Sequence, residues 1–349
     1  MVNIAVYTIA KNEEQFVERW YNSAKDADYL FILDTGSTDD TVKIARDLGI
    51  NLEVQSFDPW RFDHARNAAL NFLPQDIDMC IALDLDEVLV EGWRDAIEKS
   101  VDGGITRVRY KYTWSWNDDG SPGLQYGGDK IHARHNYYWK HPVHEVLQCS
   151  DQEIQGWYDL EIHHYPDKTK SRSQYMPLLK IAVEEDPDDD RNAFYYAREL
   201  FFHAKKQEAA KEFKRHLSLP RARWNPERAA SMRYLAKIED AEAWLLRAVA
   251  ECPNRREALV ELAQYYYEIR QFELCYAYSI KALSIINKPL EYLCEDFAWG
   301  YVPYDLAAIS AYNIGLKENA RVYGQEALRL NPSDPRLSSN MEWYNKSLL

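Results

Sequence analysis

The chain is poor in the features that mark secreted, membrane-spanning and nucleic-acid-binding proteins. Its five cysteines (Cys80, Cys149, Cys252, Cys275 and Cys294) are scattered through 349 residues with no C-x-x-C pair. Neither a disulfide framework nor a structural zinc site fits that spacing, and buried reduced thiols are expected. No stretch approaches the ~18 consecutive apolar residues of a membrane span, because every apolar run is short and broken by charge. The opening MVNIAVYTIAKNEE has no basic n-region and meets acid at Glu13. It does not read as a signal peptide, and a cytoplasmic location is expected. Positive charge is also scarce: the net charge is −14, and residues 1–170 hold 30 acids against 17 Lys and Arg, while residues 171–349 hold 26 against 25. An N-terminal part carrying this excess of acid repels nucleic acid and suits capture of a cation, directly or as a metal-nucleotide complex.

What is present is organised in two parts. The length allows two domains, each with its own core, and we place them at residues 1–171 and 172–349. In the first hundred residues, short β-branched apolar runs (NIAVYTIA, YLFILDTG, NLEVQSF and DMCIALDLDE) alternate with helical patterns (NEEQFVERWYNSAK, STDDTVKIARDLG and DHARNAALNFL). The second of these helices is expected to be capped by Ser37 or Thr38 and closed at Gly49. Such βα alternation predicts a mainly parallel sheet covered by helices, with ligands at the carboxyl ends of the strands. Three polar clusters, Thr8 to Asn12, Asp34 to Ser37 and Asp84 to Asp86, fall at those ends. Residues 101–170, dense in Trp and Tyr with period-2 stretches such as ITRVRYKYTWSW, read as antiparallel strands and loops that complete the sheet and wall an acceptor pocket.

From residue 172 onward the pattern is helical. Pro187, Pro220, Pro253 and Pro289 stand 33, 33 and 36 residues apart, with a longer interval to Pro332. That period, with the aromatic and small-residue spacing of FYYARELFFHAKKQEAAKEFKRHLSLP, predicts tetratricopeptide-like helical hairpins, against the alternative of an irregular bundle.

The stretch IALDLDEVLV, residues 81–90, poses a question of its own, because Asp84, Asp86 and Glu87 interrupt what would otherwise be a buried strand. An ionised carboxylate desolvated without a partner costs several kcal/mol. The acids therefore form either a solvated turn or a site for a cation.

Six segments in order, TIAKNEEQFV, LDTGSTDDTVKIARDLG, HARNAAL, ALDLDE, HPVHE and IHHYPD, carry a resemblance to glycosyltransferase family 2. These are nucleotide-sugar-dependent enzymes of the GT-A fold, and the resemblance is to the subgroup with C-terminal tetratricopeptide-like repeats. It covers most of residues 1–220. It implies an α/β, Rossmann-like GT-A domain with a mainly parallel sheet, followed by an all-α repeat domain, and transfer of a hexose from a nucleotide sugar, UDP-sugar favoured, with inversion. Asp84 and Asp86 match the family's D-x-D, which implies a Mn²⁺ or Mg²⁺ cofactor with Asp86 as the more direct ligand and His164, in preference to its neighbour His163, as a further one. Asp34 would recognise the nucleoside, with Thr8, Asn12 and Glu13 lining the same site. Ser37 and Asp39 would either join that site or cap the following helix. Arg66 would contact the diphosphate, hold Asp84, or form a surface ion pair. Glu145 is the candidate general base, a role His144 could share. Asp118 and Asp119 read better as a turn. Leu85 stands where the family has a small residue, and its side chain is expected to enter the core. The Q-x-x-R-W motif of processive polysaccharide synthases is absent.

The acceptor is left open among glycan, lipid-linked sugar and protein, and the Tyr-rich repeats point to a possible homodimer. Two rivals stand beside this reading. A haloacid-dehalogenase-type phosphatase also begins with an h-h-h-D-x-D strand, but as its first strand, whereas three strand-like units precede it here. In the other, the repeats are a protein-binding scaffold and the first domain a degenerate nucleotide binder. The basic stretch from Lys205 to Lys237 reads as a solvated helical face or, through Arg221 and Arg223, as a dock for an anionic acceptor.

Overall fold

The structure, a computed structural model, describes residues 2–167 and 175–346. The first seven elements alternate as the hydropathy predicts: β1 (Ile4–Ala10), α1 (Glu14–Ala24), β2 (Tyr29–Asp34), α2 (Thr41–Asp47), β3 (Asn51–Val54), α3 (Phe62–Phe72) and β4 (Met79–Ala82). These strands pair in parallel, with β1 between β2 and β4 and β3 outside β2. The central strands are buried on both faces, which is why they read as unbroken apolar runs.

β5 (Glu87–Leu89), α4 (Trp93–Asp102), β6 (Arg107–Thr113), β7 (Gln125–Ala133), β8 (Tyr137–Lys140), β9 (Val146–Cys149) and β10 (Gln155–His164) follow. The main sheet has eight strands in the order β3-β2-β1-β4-β7-β6-β10-β5, and β8 with β9 forms a separate antiparallel pair. β7 is antiparallel to both neighbours, as expected for this region. β10 differs, since it runs parallel to β6. The chain reaches it by a long excursion through β7, β8 and β9, a crossover rather than a hairpin, and a crossover returns a strand in the parallel sense.

One face of the sheet packs Ile4, Val6, Ile81, Tyr110 and Ile162 with Trp20 of α1 and Ile97 of α4. The other packs Tyr7, Phe31 and Cys80 with Leu70 of α3 and Trp139 of β8. The indole of Trp20, wholly buried, donates from Nε1 to the Leu83 carbonyl at 2.9 Å and so pins the chain just before Asp84. Leu85 enters the core as expected.

Two compact units divide at Ala182–Val183, within α5 (Tyr175–Glu185). The second unit is built from antiparallel helix pairs: α6 (Asp190–Phe202) with α7 (Lys206–Ser218), α8 (Asn225–Ala236) with α9 (Ala241–Glu251), and α10 (Arg256–Glu268) with α11 (Phe272–Leu283). After the short α12 (Asp296–Trp299) come α13 (Val302–Asn313) paired with α14 (Lys317–Leu330), then α15 (Pro335–Lys346). Asp189 and Asp240 cap α6 and α9 by accepting from the backbone amides of Asn192 and Ala243. The long fourth proline interval has a structural cause: residues 284–301 leave the hairpin pattern and run as a strap, bonded to the helices before it, ahead of α13. The fold is thus an α/β unit with a mostly parallel open sheet, followed by helical repeats.

Candidate active site

The carboxyl ends of β1 and β2 are tied together by side chains from the loops that follow. Asp34, fully buried, accepts from the amides of Gly36 and Ser37 at 2.9 Å each and from the Ser37 hydroxyl. Asn12, in the left-handed region at φ 56°, which Asn tolerates, donates its amide to Ser37 Oγ and accepts from the Thr38 amide, both at 2.8 Å. The Glu13 amide donates to Thr41 Oγ1 at 2.8 Å. Thr8 is buried, with its hydroxyl on the Ile9 carbonyl. The first two polar clusters therefore meet as one hydrogen-bonded unit.

This unit also moves the start of α2. The helix begins at Thr41, not after Ser37 or Thr38, because the Ser37 hydroxyl is committed to Asp34 and Asn12. Asp39 takes over the capping chemistry, accepting from the Thr41 amide at 3.1 Å and hydroxyl at 2.6 Å, and its other oxygen reaches the Glu14 amide.

The third cluster lies on the turn between β4 and β5, where the Glu87 amide donates to the Asp84 carbonyl. It is not a solvated turn, since Glu87 is only 1% exposed. Asp84 accepts from Arg66 Nη2 at 2.8 Å through one oxygen and from Lys130 Nζ at 2.9 Å through the other. The Lys130 ammonium also donates to Glu87 Oε1 at 2.7 Å, an oxygen shared with the Tyr112 hydroxyl at 2.6 Å. Burial works against ionisation of Asp84, but the two cations outweigh it and hold its carboxyl well below the usual range.

Arg66, 6% exposed, carries its Nε to Glu145 and lies over the Trp139 ring at 5.0 Å. A surface ion pair is excluded, and the buried Nη1 of the same guanidinium has no hydrogen-bond partner. An unpaired buried donor of this kind costs about 1–3 kcal/mol and is a ready contact for an anion.

Asp86 is built differently. Its carboxylate Oδ2 is 3.2 Å from His164 Nε2, and its backbone carbonyl accepts from the Tyr165 amide. His164, 5% exposed, stacks on Trp114 at 4.3 Å and directs Nδ1 to the Trp114 carbonyl at 3.0 Å. Both ring nitrogens face acceptors, so both bonds form only with the ring protonated. Burial opposes that charge, and the Asp86 contact overcomes burial to raise the His164 pKa. His163 faces the other way, toward Glu161 at 3.1 Å and the Trp116 ring.

The residues thus fall into two groups at the carboxyl ends of the strands: Asp34 with Thr8, Asn12 and Glu13 in one, and Asp84, Asp86, Arg66, Glu145 and His164 in the other. His144, at φ 50°, turns its ring edge-on to Tyr175 at 5.4 Å. Asp119 closes an exposed turn by accepting from Ser121. Sequence reasoning missed Lys130, which lies in an antiparallel strand among residues assigned to an acceptor wall. No local pattern marks it, because β7 is mostly half-buried and its lysine meets Asp84 and Glu87, more than 40 residues earlier, only in the fold.

The donor set also bears on a cation. Among the described residues no group of three or more His, Cys, Asp or Glu side chains stands at metal-holding spacing. Asp84 spends both oxygens on cations, which leaves Asp86 and His164. A Mg²⁺-like ion needs only one or two protein ligands when phosphate oxygens and water supply the rest. The pair fits a cation shared with a diphosphate, rather than one caged by protein.

No known family's sequence profile matches the chain. It is similar to uncharacterized glycosyltransferases of Rickettsia typhi and Rickettsia prowazekii, 35% and 34% identical over 104 residues, which is 28% of this chain. The chain spans about a third of those relatives, 32% of each. Among solved structures it is similar to S. aureus TarS 1–349 in complex with UDP-GlcNAc, at 14% identity and TM-score 0.39 over 80% of this chain and 90% of that one. It is also similar to the tetratricopeptide protein YrrB, at 12% identity and TM-score 0.39 over 48% of this chain and 82% of that one.

Proposed function

We propose that the protein is a metal-dependent, inverting glycosyltransferase of family 2 that moves a hexose from a nucleotide sugar, UDP-sugar favoured, to a hydroxyl on a glycan, a lipid-linked sugar or a protein. The observation that carries the proposal is the second group: an Asp86–His164 pair on the same turn as Asp84, which holds a buried guanidinium with an unpaired Nη1, at the carboxyl ends of the parallel strands. The partial similarity to rickettsial proteins named glycosyltransferases supports it.

In the transfer, the acceptor oxygen bonds to the anomeric carbon as the bond from that carbon to the diphosphate breaks. The electron pair leaves with the nucleoside diphosphate, and the acceptor proton passes to a base. A bound Mn²⁺ or Mg²⁺ would supply charge stabilisation of the leaving diphosphate. Asp86 and His164 would hold that ion, with the Trp114 carbonyl fixing the imidazole. Arg66 would donate from Nη1 to a diphosphate oxygen, and Asp34 would accept from the nucleoside. Glu145, oriented by Arg66, is the proposed base, with His144 adjacent in sequence. Asp84 keeps Arg66 and Lys130 in place.

The phosphatase reading needs Asp84 as a nucleophile, yet both of its oxygens accept from cations. The scaffold reading needs an open face on the repeats, and the strap bonds across α8 and α10 through Glu295, Tyr292 and Trp299. Calorimetric titration with UDP and GDP, with and without Mn²⁺, tests the proposal. Metal-dependent binding of one nucleotide that is lost in Asp86→Ala is expected; no binding under any condition would sink it.

A further inference from the structure

The strands β6, β7 and β10 have one face in the core, through Val108, Tyr110, Ile131 and Ile162. Strand pairing puts Arg109, Lys111 and Thr113 of β6 on the other face, beside Trp157, Glu161 and His163 of β10. Lys111 is exposed there, and Trp157 is 57% exposed.

Trp157 lies down on that face. A Cβ on Gly127 would be 2.7 Å from the tip of its indole, and Gly127 belongs to β7, on the far side of β6. Neighbouring strands are about 4.8 Å apart, so the ring reaches across β6 to a position where only glycine leaves it room. The Arg109 guanidinium lies 5.5 Å from the ring centre. One side of the indole thus rests on the sheet, and the other is left to solvent.

From the indole a row of fixed polar groups runs toward the carboxyl ends of β6 and β10. Lys111 Nζ is 2.7 Å from Glu161 Oε2, while Glu161 Oε1 accepts from the Thr113 hydroxyl at 2.7 Å and lies 3.1 Å from His163 Nε2. The row ends at Trp116, edge-on to His163 at 4.8 Å, and His163 adjoins His164 of the candidate site. From Arg109 to Thr113 the strand advances about 13 Å, longer than a single hexose. The ion pairs of this face join Arg107, Arg109 and Lys111 to Asp129, Glu153 and Glu161, so their charges cancel.

We infer that this sheet face is a track for the acceptor, and that the acceptor is a neutral glycan of several sugar units with one pyranose ring stacked on Trp157. The C–H bonds on a pyranose face are weakly positive and suit the negative face of an indole. Sugar hydroxyls both donate and accept, as the alternating ammonium and carboxylate groups require. A phosphorylated lipid carrier or an acidic peptide calls for net positive charge, which the paired side chains do not leave. This inference rests on the proposed function and narrows its acceptor to a glycan.

The test reads binding of the full chain to an array of immobilised neutral oligosaccharides, monosaccharides included, beside the titration with UDP and Mn²⁺. Wild type is expected to bind members longer than a disaccharide and no monosaccharide. Trp157→Ala is expected to weaken that binding about tenfold, Trp157→Phe to keep most of it, and both to leave nucleotide binding unchanged. Should Trp157→Ala not fold, Lys111→Ala, at an exposed side chain, is read in the same way with a smaller loss expected. Binding to no member, the result a protein or lipid acceptor would give, overturns the inference. So does binding that the folded variants leave intact, or that monosaccharides match. Absent glycan binding with nucleotide binding intact sinks this inference alone, whereas absent nucleotide binding sinks the proposed function.

Discussion

At the scale of single residues, the decisive group is Lys130. Its ammonium bridges half-buried Asp84 and fully buried Glu87 at 2.9 and 2.7 Å. Removing one partner of a buried ion pair strands the other, at about 3–5 kcal/mol. Lys130→Met should therefore lower the urea-unfolding free energy by about that amount, and Lys130→Met/Glu87→Gln should recover part of it. Equal losses in the single and double variants would show that the lysine acts by packing alone. His132 gives a second prediction. Its Nε2 meets the Tyr7 hydroxyl at 3.0 Å, and burial pushes its pKa down to about 3. The unfolded chain takes up that proton near pH 6.5 and the folded one does not, so this contribution to stability is full above pH 6.5 and is lost as pH falls toward 3. Between pH 7 and pH 5 the expected loss is about 2 kcal/mol, and His132→Gln should flatten that part of the profile.

At the scale of elements, two devices set the site. One is the clamp at the start of α2, where Asp39 joins the first turns of two helices. Asp39→Ala should cost about 1 kcal/mol, as loss of a cap does, and loosen the Asn12–Thr38 loop in hydrogen exchange. The other is the close approach of β7 to β6. A Cβ on Gly128 would lie 2.2 Å from the Tyr110 ring, which is buried and has no room to move. Gly128→Ala should destabilise the protein by more than the about 1–3 kcal/mol usual for overpacking and displace Lys130 two residues on, so thermal unfolding and nucleotide titration should fail together.

At the scale of the whole molecule, ligand binding offers the widest readout. A ligand that binds only the folded state at a hundred times its Kd adds about 2.7 kcal/mol, which for units of this size raises Tm by several degrees. UDP with Mn²⁺ should give that shift, and either alone should give little, because Asp86 and His164 supply too few donors to hold the cation without the diphosphate. Equal shifts with and without metal would remove the metal from the proposal.

The sequence by itself determined the order of the elements, the parallel sheet, the change to helical repeats and the position of the acids at strand ends. Hydrophobic period and turn residues are local, and four strands with three helices repeat them clearly. That His163 and His164 face opposite ways was also legible, since adjacent strand residues alternate, but that His164 is the one meeting Asp86 was not. Tertiary structure alone decided that β10 runs parallel to β6, that Lys130 meets Asp84 and Glu87, that Asp84 is bound by cations while Asp86 faces an imidazole, and that the strap lies across the repeat helices. Each of these joins residues far apart in the chain, such as Lys130 to Asp84 or Tyr292 to Glu227, and counter-charges of this kind are chosen by proximity in the fold, which no local pattern records.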